Sequence, residues 1–163
     1  AVQTEYSLWS RNAELGVLDT CRELGIAFVA FSPLARGFLA GSLRDTSVLP
    51  PKDIRLNMPR FQGENFTKNL TLLDGVAAIA RAAGGSMAQV VLAWVLQRGP
   101  HIIPIPGTTK TAHLEENAAA ADLHLTADVM ARLDALVNPE TVSGRRYNDT
   151  VLAEIDTETL PHY

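Results

Sequence analysis

Three short stretches of the chain carry apolar patterns typical of β-strands. Residues 2–8 alternate loosely between apolar and polar side chains, which predicts a strand. Residues 26–31 form a continuous apolar run, the pattern of a strand that is covered on both faces, and residues 101–105 are predicted to be a second strand of this buried type. The sequence therefore predicts three strands, and helical patterns separate them.

The first helical pattern lies between the first two strands, over residues 12–24. Asn12 has a side chain suited to the N-cap, and Gly25 suits the position just after the helix. The apolar stripe of this helix, with residues spaced three apart, consists of Leu15, Leu18, Cys21 and Leu24. Together with the flanking strands, this helix predicts a β-α-β unit whose strands are parallel.

Two further helices are predicted before the third strand. An apolar face predicts a helix over residues 68–83, and a pair of glycines ends it. Ser86 and Gln89 have the spacing of a capping box, in which each side chain accepts a hydrogen bond from the other residue's backbone amide. The helix that they open is predicted to end at Arg98.

The C-terminal part is predicted to contain two more helices. Thr111 is the expected cap of a helix that ends at Ala121, and Thr126 begins a last helix that ends at residues 138–139. The chain from residue 140 onward is polar and is predicted to be irregular. Strands that alternate with helices in this order indicate an α/β protein with a parallel sheet.

The least regular stretch is residues 32–67, which contains four prolines and three glycines and shows no sustained apolar period. A loop of this length inside a compact domain is usually functional or mobile.

Composition places the chain among ordinary soluble proteins and excludes several partners. Its 163 residues suffice for one domain with a core, and 47% of them are hydrophobic and 20% charged. The net charge of −4, without a basic block, gives nucleic-acid binding no electrostatic support. No apolar run reaches the roughly 18 residues of a membrane span. The single cysteine, Cys21, excludes an internal disulfide and fits a reducing, cytoplasmic setting.

Several common catalytic and metal-binding signatures are missing from the chain. No serine-hydrolase GxSxG elbow is present, and no GxGxxG follows a strand. No HxH or HExxH spacing, which would favour a zinc site, occurs among the histidines His101, His113, His124 and His162.

One segment that could bind an anion is IIPIPGTTKTAHLEEN, residues 102–117. A strand ends here, a Pro-Gly turn follows, and a helix begins near Thr111. Residues 108–110, two threonines and a lysine, thus lie where free backbone amides and the positive helix end converge, a ready anion site. An ordinary strand-to-helix connection with ordinary capping explains the same pattern, so both interpretations stay open.

The second such segment is FSPLARGFLAG, residues 31–41, which also follows a buried strand. Ser32 and the amides of residues 34–37 could hold phosphate oxygens, and Phe31 could present a flat face to a ring. Burial of Phe31 in the core is the more common fate of such an aromatic residue. Ligands of parallel α/β proteins bind beyond the carboxyl ends of the strands. Two loops suited to phosphate binding at this place favour an extended dinucleotide as the ligand.

These motifs resemble the aldo-keto reductase family over residues 2–148. The resemblance is carried by QTEYSLW at 3–9, FSPLARGFLAG at 31–41, SMAQVVLAWVLQRG at 86–99, PIPGTTK at 104–110 and LEEN at 114–117. It implies an α/β fold, a partial (β/α)8 TIM barrel with about the last three β/α units. It also implies two extra helices, at 68–83 and 126–138, and a long cofactor-covering loop at 38–67.

The family binds NADP(H), and the resemblance implies where this chain would hold it. Gln3 would hydrogen-bond the nicotinamide amide, and Phe31 would stack on the nicotinamide ring. Ser32, Leu34 and Gly37 would line the pyrophosphate, with Arg36 nearby. Residues 108–110 would hold the 2′-phosphate, and residues 116–117 would meet the adenine. The full implied set is Gln3, Phe31, Ser32, Leu34, Arg36, Gly37, Gly107, Thr108, Thr109, Lys110, His113, Glu116 and Asn117.

Two positions depart from the family pattern. His113 stands where the family often has Arg, and Ser42 stands where a Lys is common. An Arg fork stays charged and grips a phosphate by two hydrogen bonds, whereas His is mostly neutral at pH 7. Selectivity for NADPH over NADH therefore depends on Lys110 and the threonines.

The family's catalytic Asp, Tyr, Lys and His lie before the segment that begins at Gln3. The resemblance therefore implies the C-terminal, cofactor-binding part of a barrel over residues 1–148, a fragment without the catalytic tetrad and inactive alone. Residues 149–163 would be a polar tail. Residues 144–147, GRRY, resemble a segment near the substrate mouth of some members, and a surface tail with solvated arginines is the alternative.

Three functions remain open at this point. The first is part of a reductase that converts small-molecule aldehydes or ketones to alcohols with NADPH. The second is a non-catalytic NADP(H)-binding or regulatory module, and the third is an unrelated α/β domain that binds a simpler phosphate. In each case we expect unpaired strand edges to favour self-association.

Overall fold

The computed structural model describes residues 1–155 and contains one sheet of three parallel strands. These are β1 (Val2–Glu5), β2 (Phe28–Phe31) and β3 (Ile102–Ile105), in the order β1-β2-β3. Val2 lies opposite Phe28, and Phe28 lies opposite Ile102, so all three strands run in step. The predicted parallel α/β arrangement is confirmed.

The first strand is shorter than its apolar pattern suggested. Ser7 and Ser10 exchange backbone hydrogen bonds of 3.1 and 3.2 Å, which turns the chain back on itself just after β1. This turn removes residues 6–8 from the sheet, although Tyr6 and Leu8 are both fully buried. The Tyr6 amide still donates to the Phe31 carbonyl at 3.3 Å, and beyond it the chain leaves the sheet, so burial rather than strand pairing accounts for the pattern after Tyr6.

The α-helices of the described part follow the predicted order with shifted ends. They are α1 (Val17–Glu23), α2 (Gly63–Ala82), α3 (Met87–Leu96), α4 (Thr111–Ala119), α5 (Ala127–Leu136) and α6 (Asp149–Leu152). Helix α2 begins five residues before its predicted start at residue 68, because a turn at Pro59–Phe61 leads directly into it. Helices α2 and α5, the two extra helices of the resemblance, pack against each other.

The predicted helix over residues 12–24 is wrong in its first half. Residues Asn12–Leu15 form a 3₁₀ turn, and Asn12 is not a cap, because Arg11 precedes the turn and Gly16 precedes α1. Leu15, the last residue of the 3₁₀ turn, and Leu24, the C-cap residue of α1, are 41% and 63% exposed. Gly25, with φ of 64°, takes the left-handed conformation expected after the helix.

The capping box of α3 is confirmed. The Gln89 amide donates to Ser86 Oγ at 3.2 Å, and the Ser86 amide donates to Gln89 Oε1 at 3.0 Å. Thr126 likewise caps α5 by accepting a hydrogen bond from the Val129 amide at 3.3 Å. The predicted cap at Thr111 is wrong, because Lys110 is extended and occupies the N-cap position, which makes Thr111 the first helical residue.

The long loop after β2 contains short 3₁₀ turns and is held down by aromatic packing. Trp9 stacks on Phe38 with ring centroids 4.6 Å apart, and Phe61 meets both rings edge-on. Phe66, at the start of α2, packs against Phe38 and Phe61 as well. These contacts anchor both ends of the loop in the core.

The C-terminal segment is more ordered than the predicted irregular tail. Asn148 caps α6 through a 3.0 Å hydrogen bond from the Val151 amide, and Arg146 is buried. The alternative of solvated arginines holds for Arg145 and fails for Arg146. Residues 156–163 of the predicted tail, which include His162 and Tyr163, lie outside the described residues.

No single helix among the described residues is long and apolar enough to cross a membrane. Helices α2 and α3 pass that test together, by length and composition only, with a bend of 84° between them.

Candidate functional site

The loops that follow β2 and β3 meet in one cleft. The two strands are neighbours and parallel, so their carboxyl ends, at Phe31 and Ile105, lie at the same edge of the sheet. Between the loops lies a cavity of about 220 Å³. It is lined by Leu34, Gly37, Ala40, Ser42, Ala88, Gly107, Thr108, His113, Glu116 and Asn117.

The cleft unites residues from both segments that the sequence singled out. Leu34 and Gly37 come from the first segment, and Gly107, Thr108, His113, Glu116 and Asn117 come from the second. The remaining residues of the implied set do not line this cleft; they are Gln3, Phe31, Ser32, Arg36, Thr109 and Lys110. Gln3 is exposed on β1, and Phe31 and Ser32 are half-buried at the end of β2.

The second loop leads into an open helix end. Lys110, the N-cap residue of α4, provides no side-chain hydrogen bond to the first turn. The Thr108 hydroxyl accepts a hydrogen bond from the Lys110 amide at 3.1 Å, which shapes the turn just before the helix. The N–H groups of the first turn of α4 therefore have no N-cap acceptor and are available to an anion.

The first loop is held in a strained conformation. Ser32, Ala35 and Arg36 all have φ values of 52–55°, in the left-handed region that glycine tolerates and other residues avoid. Gly37 follows with φ of 85°. Arg55, from the segment between β2 and α2, donates a hydrogen bond to the Arg36 carbonyl at 3.1 Å and helps to hold this turn. Strain of this kind concentrates at ligand-binding sites.

Arg55 is itself fixed by a carboxylate. Its side chain donates to both oxygens of Asp53 at 2.9 and 2.7 Å. These hydrogen bonds from Arg55 lower the pKa of Asp53 from 3.8 to about 2. Asp53 therefore stays ionised at neutral pH and orients Arg55 toward the strained loop.

The Arg36 side chain forms an ion pair with the Glu5 carboxylate. It donates to both oxygens of Glu5 at 3.0 and 3.1 Å and to the Tyr147 hydroxyl at 2.7 Å. Tyr147 in turn donates to Glu5 at 2.7 Å, as does Ser10 at 2.9 Å. The positive charge that the resemblance implied near a pyrophosphate is thus balanced by a carboxylate at the end of β1.

This network shifts the pKa values of its members. Burial alone would raise the pKa of Glu5, but the hydrogen bonds and charge of Arg36, with hydrogen bonds from Tyr147 and Ser10, lower it below the ordinary 4.5. Burial, and then the hydrogen bond to Glu5, raises the pKa of Tyr147 above its ordinary 10.0. At neutral pH the carboxylate is therefore charged and the phenol neutral.

The sequence patterns did not indicate one residue that lines the cleft, or the two residues that bind Arg36. Ala88, in the first turn of α3, lines the cleft because helix α3 packs against the loop of residues 35–40 and against α4. Glu5 and Tyr147 were not considered as partners of Arg36. Glu5 could have been found, because the parallel register places it opposite Phe31, near the start of the loop that carries Arg36.

Within residues 1–155 no group of three or more His, Cys, Asp or Glu side chains is placed to hold a metal ion.

The region that contains the cleft is similar to known proteins. A model of the Aldo/keto reductase family matches residues 1–138, which include both loops. The fold is similar to that of a glycerol dehydrogenase from Gluconobacter oxydans, with a TM-score of 0.76 and 28% identity over 82% of this chain and 41% of that one.

Two further solved structures are similar. An aldo-keto reductase from Klebsiella pneumoniae in complex with NADPH has a TM-score of 0.58 and 28% identity, over 88% of this chain and 42% of that one. A thermostable aldo-keto reductase in complex with the inhibitor epalrestat has a TM-score of 0.55 and 27% identity, over 82% of this chain and 38% of that one. The chain thus spans about two fifths of the length of each of these structures.

Proposed function

The chain belongs to the aldo/keto reductase family, and we propose that it forms the NADP(H)-binding part of an enzyme that reduces aldehydes or ketones to alcohols. A solved relative binds NADPH, and the loops that the family motifs mark converge here on one cleft. That convergence is the observation that carries the proposal. We also propose a cytoplasmic location, because a single cysteine suits a reducing compartment.

The residues of the cleft suit the phosphates and the adenine end of a dinucleotide. The open N-terminus of α4 favours a phosphate through its free amides and its positive dipole. Gly107 has nothing within 4 Å of the place where a Cβ would lie, so a ligand can approach its backbone closely. Half-buried Glu116 and Asn117 provide polar atoms for an adenine.

The nicotinamide end would lie at the strand ends. Exposed Gln3 offers an amide for hydrogen bonding, and half-buried Phe31 offers a ring face. NADPH, when bound, supplies a hydride to a carbonyl carbon. This chain's part is to bind and orient the cofactor.

A proton donor for the carbonyl oxygen is not provided by the described tyrosines. Tyr6 is fully buried and donates to Glu14 at 2.7 Å, and burial followed by this bond raises its pKa. Tyr147 is bonded to Glu5, and its pKa is raised as well. A general acid works best with a pKa near the operating pH, so we propose that the chain by itself does not reduce carbonyls.

The test of this proposal is binding of NADPH to the purified chain, measured by calorimetry, with NADH and inorganic phosphate as parallel ligands. We expect saturable NADPH binding that is tighter than NADH binding. Phosphate binding without dinucleotide binding would favour a simple phosphate-binding domain and reject the proposal.

A non-catalytic NADP(H)-binding module is the second candidate, and the bonded state of Tyr6 and Tyr147 favours it. NADPH oxidation with aldehyde and ketone substrates separates the two. Turnover by a protein that contains this chain together with the family's catalytic residues supports the reductase. Binding without turnover in such a protein supports the module.

A further inference from the structure

Among the described residues that line the cleft between the two loops, His113 and Glu116 are the ionisable ones. Both belong to α4 and lie three positions apart, which places them side by side on the surface of the helix. The other lining residues are neutral; they are Leu34, Gly37, Ala40, Ser42, Ala88, Gly107, Thr108 and Asn117. The charge of the cleft wall therefore depends on these two side chains.

Neither side chain is occupied by a partner. Within the part of the chain that the structure describes, no hydrogen bond or ion pair joins the side chain of His113 or Glu116 to another residue. In this they differ from Arg36 and Arg55 near the strained loop, each of which is held by a carboxylate. Both are therefore available to a ligand in the cleft.

His113 lies at the end of the cleft that suits a phosphate. It is the third residue of α4 and is exposed. Since the first turn of α4 has no side-chain cap, an anion that meets the free amides of this turn lies beside His113. Thr108, whose hydroxyl shapes the turn before the helix, lines the same cleft. A phosphate bound here has amides, a hydroxyl and an imidazole as neighbours.

The other charged residues around α4 lie outside the cleft. Lys110 and Glu115, close to His113 in sequence, are exposed and do not line it. Helix α3, which packs against α4, has no ionisable side chain. The 3₁₀ turn after α4, which also packs against it, contributes Asp122, and this side chain is exposed and outside the lining. Glu116 is thus the charged group that shares the cleft with His113.

Protonation of His113 changes the sign of what the cleft attracts. Histidine is the type of side chain whose charge changes between about pH 5 and 8. With a neutral imidazole the cleft wall carries the negative charge of Glu116 alone, which repels an anion. With an imidazolium the two charges balance, and a concave site focuses the gain on a bound anion. NADPH differs from NADH by one phosphate monoester, which carries a charge of about −1.5 to −2 at neutral pH.

We propose that His113 contacts the 2′-phosphate and makes the preference for NADP(H) over NAD(H) increase as pH falls. The neutral imidazole admits both cofactors, and the imidazolium adds an attraction to the 2′-phosphate that NAD(H) does not receive. Because it requires NADP(H) in the cleft, this role of His113 rests on the proposed function.

The experiment titrates the full chain with NADP⁺ and NAD⁺ in a calorimeter at about pH 8 and about pH 6, on either side of the usual histidine titration. The oxidised cofactors are used because they are stable in mild acid. The quantity compared is the preference, the Kd of NAD⁺ divided by the Kd of NADP⁺. Since a phosphate monoester itself gains a proton near about pH 6, the parent is compared with His113→Gln at each pH.

Three variants separate the charge of His113 from other effects. At the higher pH we expect the parent and His113→Gln to have the same preference. At the lower pH the preference of the parent should exceed that of His113→Gln about tenfold, the order of one charge-assisted hydrogen bond. His113→Arg, which is charged throughout, should exceed His113→Gln at both pH values. His124→Gln is the control, because His124 is an exposed histidine outside the cleft, and it should behave as the parent does.

The outcomes distinguish this role from the proposed function. Absence of NADP⁺ binding at both pH values rejects the proposed function, and the role of His113 with it. Saturable NADP⁺ binding with equal preferences in the parent and His113→Gln at the lower pH overturns the role of His113 alone. So does a loss of the pH effect in His124→Gln. Both substituted histidines are exposed, so the variants are expected to fold as the parent chain does.

Discussion

Arg36 holds the carboxylate of Glu5 with both of its terminal nitrogens, at 3.0 and 3.1 Å. Glu5 is the last residue of β1 and only 1% exposed, and Arg36 lies in the strained loop after β2. The pair therefore ties the end of one strand to the loop that leaves the next. Tyr147, bonded to both partners, attaches the C-terminal segment to the same point.

Replacement of Glu5 is expected to be costly. Glu5→Gln leaves the Arg36 charge uncompensated in a largely buried place, and removal of one partner of a buried ion pair typically costs about 3–5 kcal/mol. The free energy of unfolding, from urea denaturation, measures this loss.

The matched control is Asp74→Asn, which removes the partner of Arg44 in an exposed pair of 2.6 Å. Exposed pairs contribute about 0–1 kcal/mol, so this variant should unfold almost as the parent does. An equal loss of unfolding free energy in the two variants would show that the buried Glu5–Arg36 pair stabilises the fold no more than an exposed pair does.

The same pair predicts a dependence of stability on pH. The folded state holds the pKa of Glu5 below its ordinary 4.5, because Arg36, Tyr147 and Ser10 outweigh the effect of burial. A lowered pKa in the folded state adds stability above the ordinary value, and that stability is lost as pH falls through the lowered value. We expect the gap between the parent and Glu5→Gln to be constant above pH 4.5 and to shrink below it.

Denaturant curves recorded from neutral pH down into the acid range test this expectation. A gap that stays the same through the acid range would show that the folded state does not perturb the ionisation of Glu5.

Lys110 is expected to provide selectivity for NADPH. It is exposed beside the open end of α4, and His113 stands where the family often has Arg. Lys110→Ala removes a charged contact to the 2′-phosphate, worth about 1.5–3 kcal/mol, and should weaken NADPH binding at least tenfold with little effect on NADH. Calorimetric titration of both cofactors measures the change.

Lys68→Ala is the control for this variant, because Lys68 is an exposed lysine on α2 that does not line the cleft. It should bind both cofactors as the parent does. If Lys110→Ala kept the preference for NADPH over NADH, Lys110 would not be the residue that contacts the 2′-phosphate.

The outer edge of β3 is expected to drive self-association. Within the described residues β3 pairs only with β2, and its side chains Ile103 and Ile105 are 50% and 44% exposed. An unpaired apolar edge favours pairing with a second copy, and a lysine there opposes it. Sedimentation velocity should show the parent's mass rising with concentration, and Ile103→Lys should remain monomeric.

Ile54→Lys is the matched substitution at an exposed isoleucine of the segment between β2 and α2. It should associate as the parent does. A parent chain that stays monomeric at high concentration would contradict the prediction.

Local patterns predicted the order of elements and the place of the cleft well. The three strands, the capping box of Ser86 and Gln89, and the cap at Thr126 all follow from short-range rules, because each depends on residues a few positions apart. The two loops could be expected at one edge, because parallel neighbouring strands end on the same side. The family motifs coincide with the same two loops.

Errors arose where a distant contact overrode the local pattern. Residues 6–8 look like strand because they are buried, yet the Ser7–Ser10 turn takes them out of the sheet. Leu15 fits a helical stripe, yet it lies in the 3₁₀ turn at Asn12–Leu15, which is separate from α1. Periodicity reports which side chains are apolar and does not report the turn geometry that decides their final direction.

The sequence alone thus established the fold class, the family and the two loops that line the cleft, because these depend on patterns that local rules and motifs preserve. The partners of Arg36 emerged only on folding, because Glu5 lies 31 residues before it and Tyr147 lies 111 residues after it. Charges so far apart in sequence find each other through packing, and no local pattern encodes that proximity.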